Sequence, residues 1–285
     1  MKPQNMHGRV IGYYQTFNNN VNFSQLCAAG LTAVHLASLH FGLEPDGQPY
    51  MHLNNLYPLD PALDFVWDQM GAVKASGGKV MLMIGGAGGG YSTFLDPHYT
   101  SACTALLLNL LNVKRDTVDG VDLDVEEPVN LDALLSVVSV LRSQPRQLAI
   151  SFAPIASSLQ SDAPGLGGFS YGAIRDLGCV AYFNGQFYGA WGEGPYSEVV
   201  SNGYVPQTIV MGASAGQANA TLAELAATIR AFPDMGGVYI WEIGAAEPTP
   251  LEWVRGVSNA LKQGLEALDE RKAPAGTLTE HCRIA

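Results

Sequence analysis

Two hydrophobic patterns alternate along the chain. Short apolar runs rich in Val, Ile, Leu, Met and aromatic residues lie at 9–14, 31–38, 79–84, 120–125, 147–152, 179–187, 208–212 and 237–241. These predict strands. Between them, apolar residues recur at three- and four-residue spacing, the period of a helix with one buried face. Such stretches fall near 22–29, 60–76, 99–113, 130–142, 170–176, 195–202, 221–232 and 249–268. Asp60 and Pro61 open the second helix with an N-cap and a first-turn proline, and Gly77 and Gly78 close it. Residues 42–58, rich in Pro, Gly, Asn and Tyr, read as a long loop.

Strict alternation of strand and helix predicts parallel strands joined by crossover helices. Eight units in about 250 residues have the size of a closed (β/α)8 barrel of the α/β class. A doubly wound open sheet is the alternative. It would place its ligand at a Gly-rich first turn, and residues 15–20 contain no glycine. The expected organisation is one barrel over 1–268, without a large insertion domain, followed by a polar tail at 269–285.

Composition narrows the class. With 285 residues, 47% of them hydrophobic, the chain can bury a sizeable core and is not wholly disordered. No apolar run reaches the ~18 residues that span a bilayer. The polar start, Met1 to Arg9, lacks the apolar stretch of a secretory signal. That implies a cytoplasmic protein, or a secreted one if the chain is a trimmed mature form. The net charge is −11, from 26 acidic and 15 basic residues, with no Lys/Arg cluster. Nucleic acid is therefore excluded as a partner, and a monomer is expected. Cys27, Cys103, Cys179 and Cys282 are far apart and read as buried free thiols, with a single disulfide as the alternative. The six histidines form no HxxxH or HxH pair, so no metal motif is present.

A barrel of this type carries its chemistry at the C-terminal ends of the strands. The fourth strand stands out: Asp119-Gly120-Val121-Asp122-Leu123-Asp124-Val125-Glu126. Side chains alternate faces along a strand. Val121, Leu123 and Val125 therefore face the helices, and Asp122, Asp124 and Glu126 face the barrel interior, with Glu126 at the mouth. Three buried carboxyls are costly unless paired, protonated or bound to something. Crowding raises at least one pKa, which makes a proton donor for acid–base catalysis near neutral pH. Two other readings stand beside this one. Basic partners would make the acids structural, although Lys and Arg are scarce. Acids at alternate positions also suit Mg²⁺ or Ca²⁺.

The same segment is similar to the DGxDxDxE signature of glycoside hydrolase family 18, the chitinases and endo-β-N-acetylglucosaminidases. The likeness extends along the barrel. Val10 to Tyr14 resembles the family's first strand, and Val80 to Gly86 resembles its third-strand SxGG region. Ala153-Pro154 resembles the end of the fifth strand. Gln186-Phe187-Tyr188 resembles the sixth-strand QxY, and Gly237 to Trp241 the eighth strand with its terminal Trp.

The resemblance implies substrate-assisted hydrolysis with retention and no cofactor. Glu126 is then the proton donor. Asp124 bonds the acetamido N–H, Asp122 holds Asp124 and shares a proton with it, and Tyr188 contacts the acetamido group from the other side. Trp241 floors a sugar subsite. Tyr13, Gln186 and Gly86 join the substrate-binding set, as does Trp191 in the loop after the sixth strand. Glu127 points to the other face and receives no role. His40, at the mouth, is either a sugar contact or a satisfied polar residue. The glycine run 85–90 lacks the GK[ST] ending of a phosphate loop.

Two positions depart from the family pattern. Gly189 replaces an Asp or Asn after Tyr188, which removes one hydrogen bond to sugar. Met83 stands where Ser is usual, which takes a polar partner from the buried acids. The implied partner is an N-acetylglucosamine-containing oligo- or polysaccharide. The short connection after residue 212 leaves no room for a cleft-walling module, which suits an endo-acting chitinase. An endo-β-N-acetylglucosaminidase of the N-glycan chitobiose core would use the same residues. A non-catalytic sugar-binding protein is the third reading, and such proteins usually lose the acid.

Overall fold

The computed structural model describes residues 8–18 and 20–272. The chain begins with β1 (Arg9–Tyr14), α1 (Phe23–Ala29), β2 (Ala33–Leu43) and β3 (Pro49–Leu53). Next come α2 (Asp64–Ala75), β4 (Lys79–Gly85), α3 (Tyr91–Phe94), α4 (Thr100–Val113) and β5 (Gly120–Asp124). The second half runs through α5 (Leu131–Arg142), β6 (Ala149–Phe152), α6 (Ser157–Gln160), α7 (Tyr171–Asp176) and β7 (Tyr182–Gln186). It ends with α8 (Glu193–Ser201), β8 (Ile209–Ser214), α9 (Leu222–Ala231), β9 (Gly237–Trp241) and α10 (Pro250–Lys272).

Strand order is β1-β9-β8-β7-β6-β5-β4-β2, and a further β1–β2 pairing closes the ring. Each of these eight pairings is parallel. The (β/α)8 barrel expected from the alternation is present. No helix among the described residues is long and apolar enough to cross a membrane.

The stretch 42–58 is not simply a loop. β2 continues to Leu43 and the chain returns as β3, paired antiparallel with it. Glu44 to Gln48 makes the reversal: Glu44 N–H donates to Gln48 O at 2.8 Å, and Gly47 adopts φ +83°. The apolar positions Phe41 and Met51 lie opposite one another and are buried. The turn residues outweigh that short alternating signal in composition, which hides the hairpin. At the other end, α10 reaches Lys272, four residues past the expected domain end at 268. The rest of the expected tail, 273–285, lies outside the described residues.

Amphipathic patterning explains the helices. In α5, Asn130 caps the first turn by accepting from Ala133 N–H, and Leu134, Val137, Val138 and Leu141 form the buried stripe. Each such aliphatic side chain contributes about 1.5–3 kcal/mol by leaving water. Thr221 and Glu224 form a capping box on α9, a device worth ~1 kcal/mol. The main core fills the space between helices and strands, and Val121 and Leu123 belong to it. A second, smaller cluster occupies the barrel interior and includes Ile11, Tyr13, Met83, Tyr182 and Tyr239. The polar side chains of the site stand above and among these. Cys103 is a buried free thiol as expected, Cys27 and Cys179 are free but only partly buried, and Cys282 lies outside the described residues.

Candidate active site

β5 places its acids by parity. Asp119 precedes the strand and accepts from Lys74 and Lys79 Nζ at 2.7 and 3.1 Å. That acid is the structural one.

Asp122 is fully buried, and both its oxygens are engaged. Oδ1 accepts from Ser151 Oγ at 2.6 Å and from Asn184 Nδ2 at 3.1 Å. Oδ2 accepts from Tyr13 Oη at 2.6 Å and faces His35 Nδ1 at 3.1 Å. Burial alone would raise this pKa. The His35 ring, with hydrogen bonds from His35, Ser151 and Tyr13, outweighs burial and holds the carboxyl below its usual value. Among the described residues, no hydrogen bond joins Asp122 to Asp124. The expectation that the two share a proton is therefore not met: Asp122's lone pairs are already taken by other strands.

Asp124 differs. Burial first, then the charges of Glu126 and Asp122, push its pKa well above the ordinary carboxylate value, against a hydrogen bond from Gln186. Gln186 Nε2 lies 3.0 Å from Asp124 Oδ1, 3.1 Å from Glu126 Oε1 and 2.9 Å from Ala153 O. One amide thus ties the two acids nearest the mouth, sharing two N–H groups among three acceptors.

These acids floor a pocket of about 280 Å³ at the barrel mouth, walled by Gln15, Ser38, His40, Gly85, Gly86, Ala87, Gln186, Tyr188 and Trp241. The start of the glycine run packs closely against the end of β5. Gly86 N–H donates to Asp124 O at 2.9 Å. A Cβ on Gly85 would stand 2.2 Å from that same oxygen. Both glycines have positive φ, +99° and +79°, which an L side chain rarely adopts. His40 Nε2 lies 3.1 Å from Gly85 O. Tyr239 Oη donates to Tyr188 Oη at 3.1 Å and fixes that ring on the rim.

Asp124, Glu126, Gln186, Tyr188, Trp241 and Gly86 line one pocket, and Asp122 is fully buried outside its lining. Tyr13 does not line the pocket. It is buried, and its hydroxyl serves Asp122. Trp191 is also absent from the pocket: its ring packs in the main core, only 8% exposed. Of the two aromatic side chains in the loop after β7, Tyr188 faces the pocket and Trp191 faces the core. Glu127 does have a task, since its Oε1 accepts from Tyr91 N–H at the start of α3.

Met83 stands in register beside Asp122 on the β4 side, and Ser151 stands in register on the β6 side. The hydroxyl missing at 83 is thus supplied from the opposite neighbour. His35, Ser151, Asn184 and Tyr239 were not in the expected set. Their signal was inward parity on β2, β6, β7 and β9, which marks Ala33, His35 and Ala37 as one face of β2. Isolated polar residues inside apolar strands do not announce their partners.

Carboxylate strand, mouth pocket and closed barrel together define a chitinase-like glycoside hydrolase. Solved structures agree. A fungal endo-β-N-acetylglucosaminidase from glycosyl hydrolase family 18 superposes with a TM-score of 0.78 at 27% identity, covering 90% of this chain and 99% of that one. The chitinase ChiC from Aspergillus fumigatus gives 0.74 at 28% identity, covering 92% and 100%. A family 18 chitinase from Pseudoalteromonas aurantia shares the fold at 0.65 and 19% identity, covering 89% and 100%. No family model matches the chain, and no curated protein does. The fold is that of glycoside hydrolase family 18.

Proposed function

We propose that the protein is an endo-acting, retaining hydrolase of the β-1,4 bond between N-acetylglucosamine units, in chitin or chitooligosaccharides. One observation carries the reading: Asp124 and Glu126 stand at the pocket floor, bridged by Gln186, while Asp122 is locked beneath them.

In this reading Glu126 protonates the glycosidic oxygen. The sugar's acetamido oxygen attacks its own anomeric carbon, the bond to the leaving sugar breaks, and an oxazolinium ion forms. Asp124 accepts the acetamido N–H. Positive charge growing on the ring favours the ionised form of Asp124, so stabilisation is greatest at the transition state. Tyr188 holds the acetamido group from the rim, and Trp241 supports the sugar face. Water activated by Glu126 then opens the intermediate. Only seven residues, 215–221, separate β8 from α9, and no cleft-walling module intervenes, which suits internal cleavage.

Cleavage within the chitobiose core of N-glycans is the second reading. The superposition of the fungal endo-β-N-acetylglucosaminidase at a TM-score of 0.78 favours it. The test compares wild type with Glu126→Gln on chitopentaose and on a high-mannose glycopeptide, reading products by mass spectrometry. Chitopentaose cleavage alone, lost in the variant, is the expected result. Glycopeptide cleavage between the two core sugars would establish the second reading. Binding without cleavage of either substrate would overturn both.

A further inference from the structure

Two side chains from distant parts of the chain hold the backbone of Gln15, and the catalytic scheme uses neither. Asn54, just past β3, adopts φ +54°, a left-handed conformation in which asparagine is enriched. Its backbone N–H donates to Ser38 O at 2.9 Å. Its side chain accepts from Ser38 N–H at 3.3 Å and donates to Gln15 O at 2.8 Å. One residue therefore ties β2 to the loop after β1.

Glu242, next to Trp241, holds the same loop from the end of β9. It is 7% exposed. Its Oε2 accepts from Thr16 Oγ1 at 3.0 Å, and its Oε1 accepts from Gln15 N–H at 3.4 Å. A Cβ on Gly244 would stand 3.0 Å from Glu242 Oε2 and 3.2 Å from Thr16 Oγ1, so the glycine leaves room for that bond. Among the described residues no cation pairs with Glu242. A carboxylate buried against two neutral donors alone costs stability, and what it achieves is the placement of Gln15.

The side chain of Gln15 is the group so presented. It walls the pocket together with Ser38 and Trp241. Among the described residues its own amide has no hydrogen-bond partner. An amide offers two N–H donors and an acceptor oxygen, which complements neighbouring sugar hydroxyls. β1 stands across the ring from β6, whose neighbours are β5 and β7. Asp124 ends β5 and Tyr188 follows β7. In the proposed reading those two hold the acetamido group, so the opposite edge of the sugar faces Gln15.

We infer that Gln15 is a specificity-determining residue that hydrogen-bonds the hydroxyls on that opposite edge, and that Asn54 and Glu242 are positioning residues that aim it. The inference rests on the proposed function.

Steady-state hydrolysis of chitopentaose tests it. Gln15→Met keeps length and loses the amide. KM should rise about tenfold with kcat within about twofold, as expected for binding shared by ground state and transition state. Asn54→Gly keeps the left-handed turn and its N–H but loses the bond to Gln15, and KM should rise about fivefold. In the Gln15→Met background it should add less than about twofold, because it acts through that amide. Glu242→Ala should behave as Asn54→Gly does, and Glu242→Gln, which keeps an acceptor for Thr16, should recover most of the loss. Should Glu242→Ala fail to fold, Asn54→Gly carries the same test. An unchanged KM in Gln15→Met would overturn the inference and leave the proposed function standing. So would an Asn54→Gly effect as large in the Gln15→Met background as in wild type. No hydrolysis of chitopentaose by wild type would overturn the proposed function and the inference with it.

Discussion

His35 Nδ1 and Asp122 Oδ2 lie 3.1 Å apart, both fully buried, on different strands of the barrel. The other ring nitrogen of His35 lies 3.1 Å from Tyr182 Oη, so the imidazole is oriented from both sides. Removing one partner of a buried pair leaves the other uncompensated, at a cost of about 3–5 kcal/mol. His35→Ala should lose about that much in urea unfolding, and His35→Gln, which keeps a donor, should recover most of it. Asp122 has a folded pKa below its unfolded value of about 3.9. Its contribution to stability is full above that value and is lost as pH falls through the folded pKa. Wild-type Tm should therefore drop on acidification below about pH 4 more steeply than that of His35→Ala.

Asp124 has the opposite linkage. Its folded pKa is raised by burial and by the charges of Glu126 and Asp122, so the folded state holds this proton more tightly than the unfolded chain. Its cost to stability is absent below the unfolded value of about 3.9 and grows as pH rises to the folded pKa. Asp124→Asn removes the group. Its Tm relative to wild type should rise between about pH 4 and neutrality, while hydrolysis falls by a factor of about 10² or more. A flat Tm difference would show that the carboxyl ionises at its ordinary pKa.

Gln186 serves both acids nearest the mouth through one amide nitrogen. Gln186→Leu keeps bulk and loses both bonds. The hydrogen bond it now gives favours ionised Asp124, so its loss should push that pKa further up. The expected result is kcat reduced about 10–100-fold, with an acid limb of the rate profile displaced to higher pH. An unchanged profile with raised KM would instead assign the amide to substrate binding alone.

Trp191 separates a core role from a substrate role. Its ring is buried in the main cluster. Trp191→Phe should cost about 1–3 kcal/mol in unfolding free energy and leave KM for chitopentaose unchanged. A raised KM at unchanged stability would return Trp191 to the substrate path.

The face on which Asp122, Asp124 and Glu126 stand was legible because alternation along a strand is a strict rule, while Gln186 and Trp241 were legible only through the family resemblance. A residue's parity fixes its face whatever its neighbours are. The resemblance put Tyr13 in the site but could not say whether it meets sugar or protein, since that depends on depth in the barrel. Depth is set by stagger between strands, as the pairing of Tyr13 with His35 shows. His35 and Ser151 were hidden for the same reason: each matters through its cross-strand neighbour. Trp191 was misplaced because loop position says little about which way a loop folds. The hairpin strand Pro49–Leu53 was hidden by a turn whose Pro, Asp and Gly outweigh five alternating residues.

Asp122 draws its partners from four other strands: Tyr13 on β1, His35 on β2, Ser151 on β6 and Asn184 on β7. The first pair enters the fold at the start of the chain, and the second only after its midpoint. A nascent or half-assembled barrel leaves this carboxyl with a fraction of its hydrogen bonds and an incentive to stay solvated. The network is complete only when β1, β2, β6 and β7 all stand around β5. Tyr13 and His35 lie opposite one another on the paired neighbours β1 and β2. Displacing any one of these strands takes a partner from the carboxyl beneath the catalytic floor, so this barrel should inactivate as a unit rather than by gradual loosening.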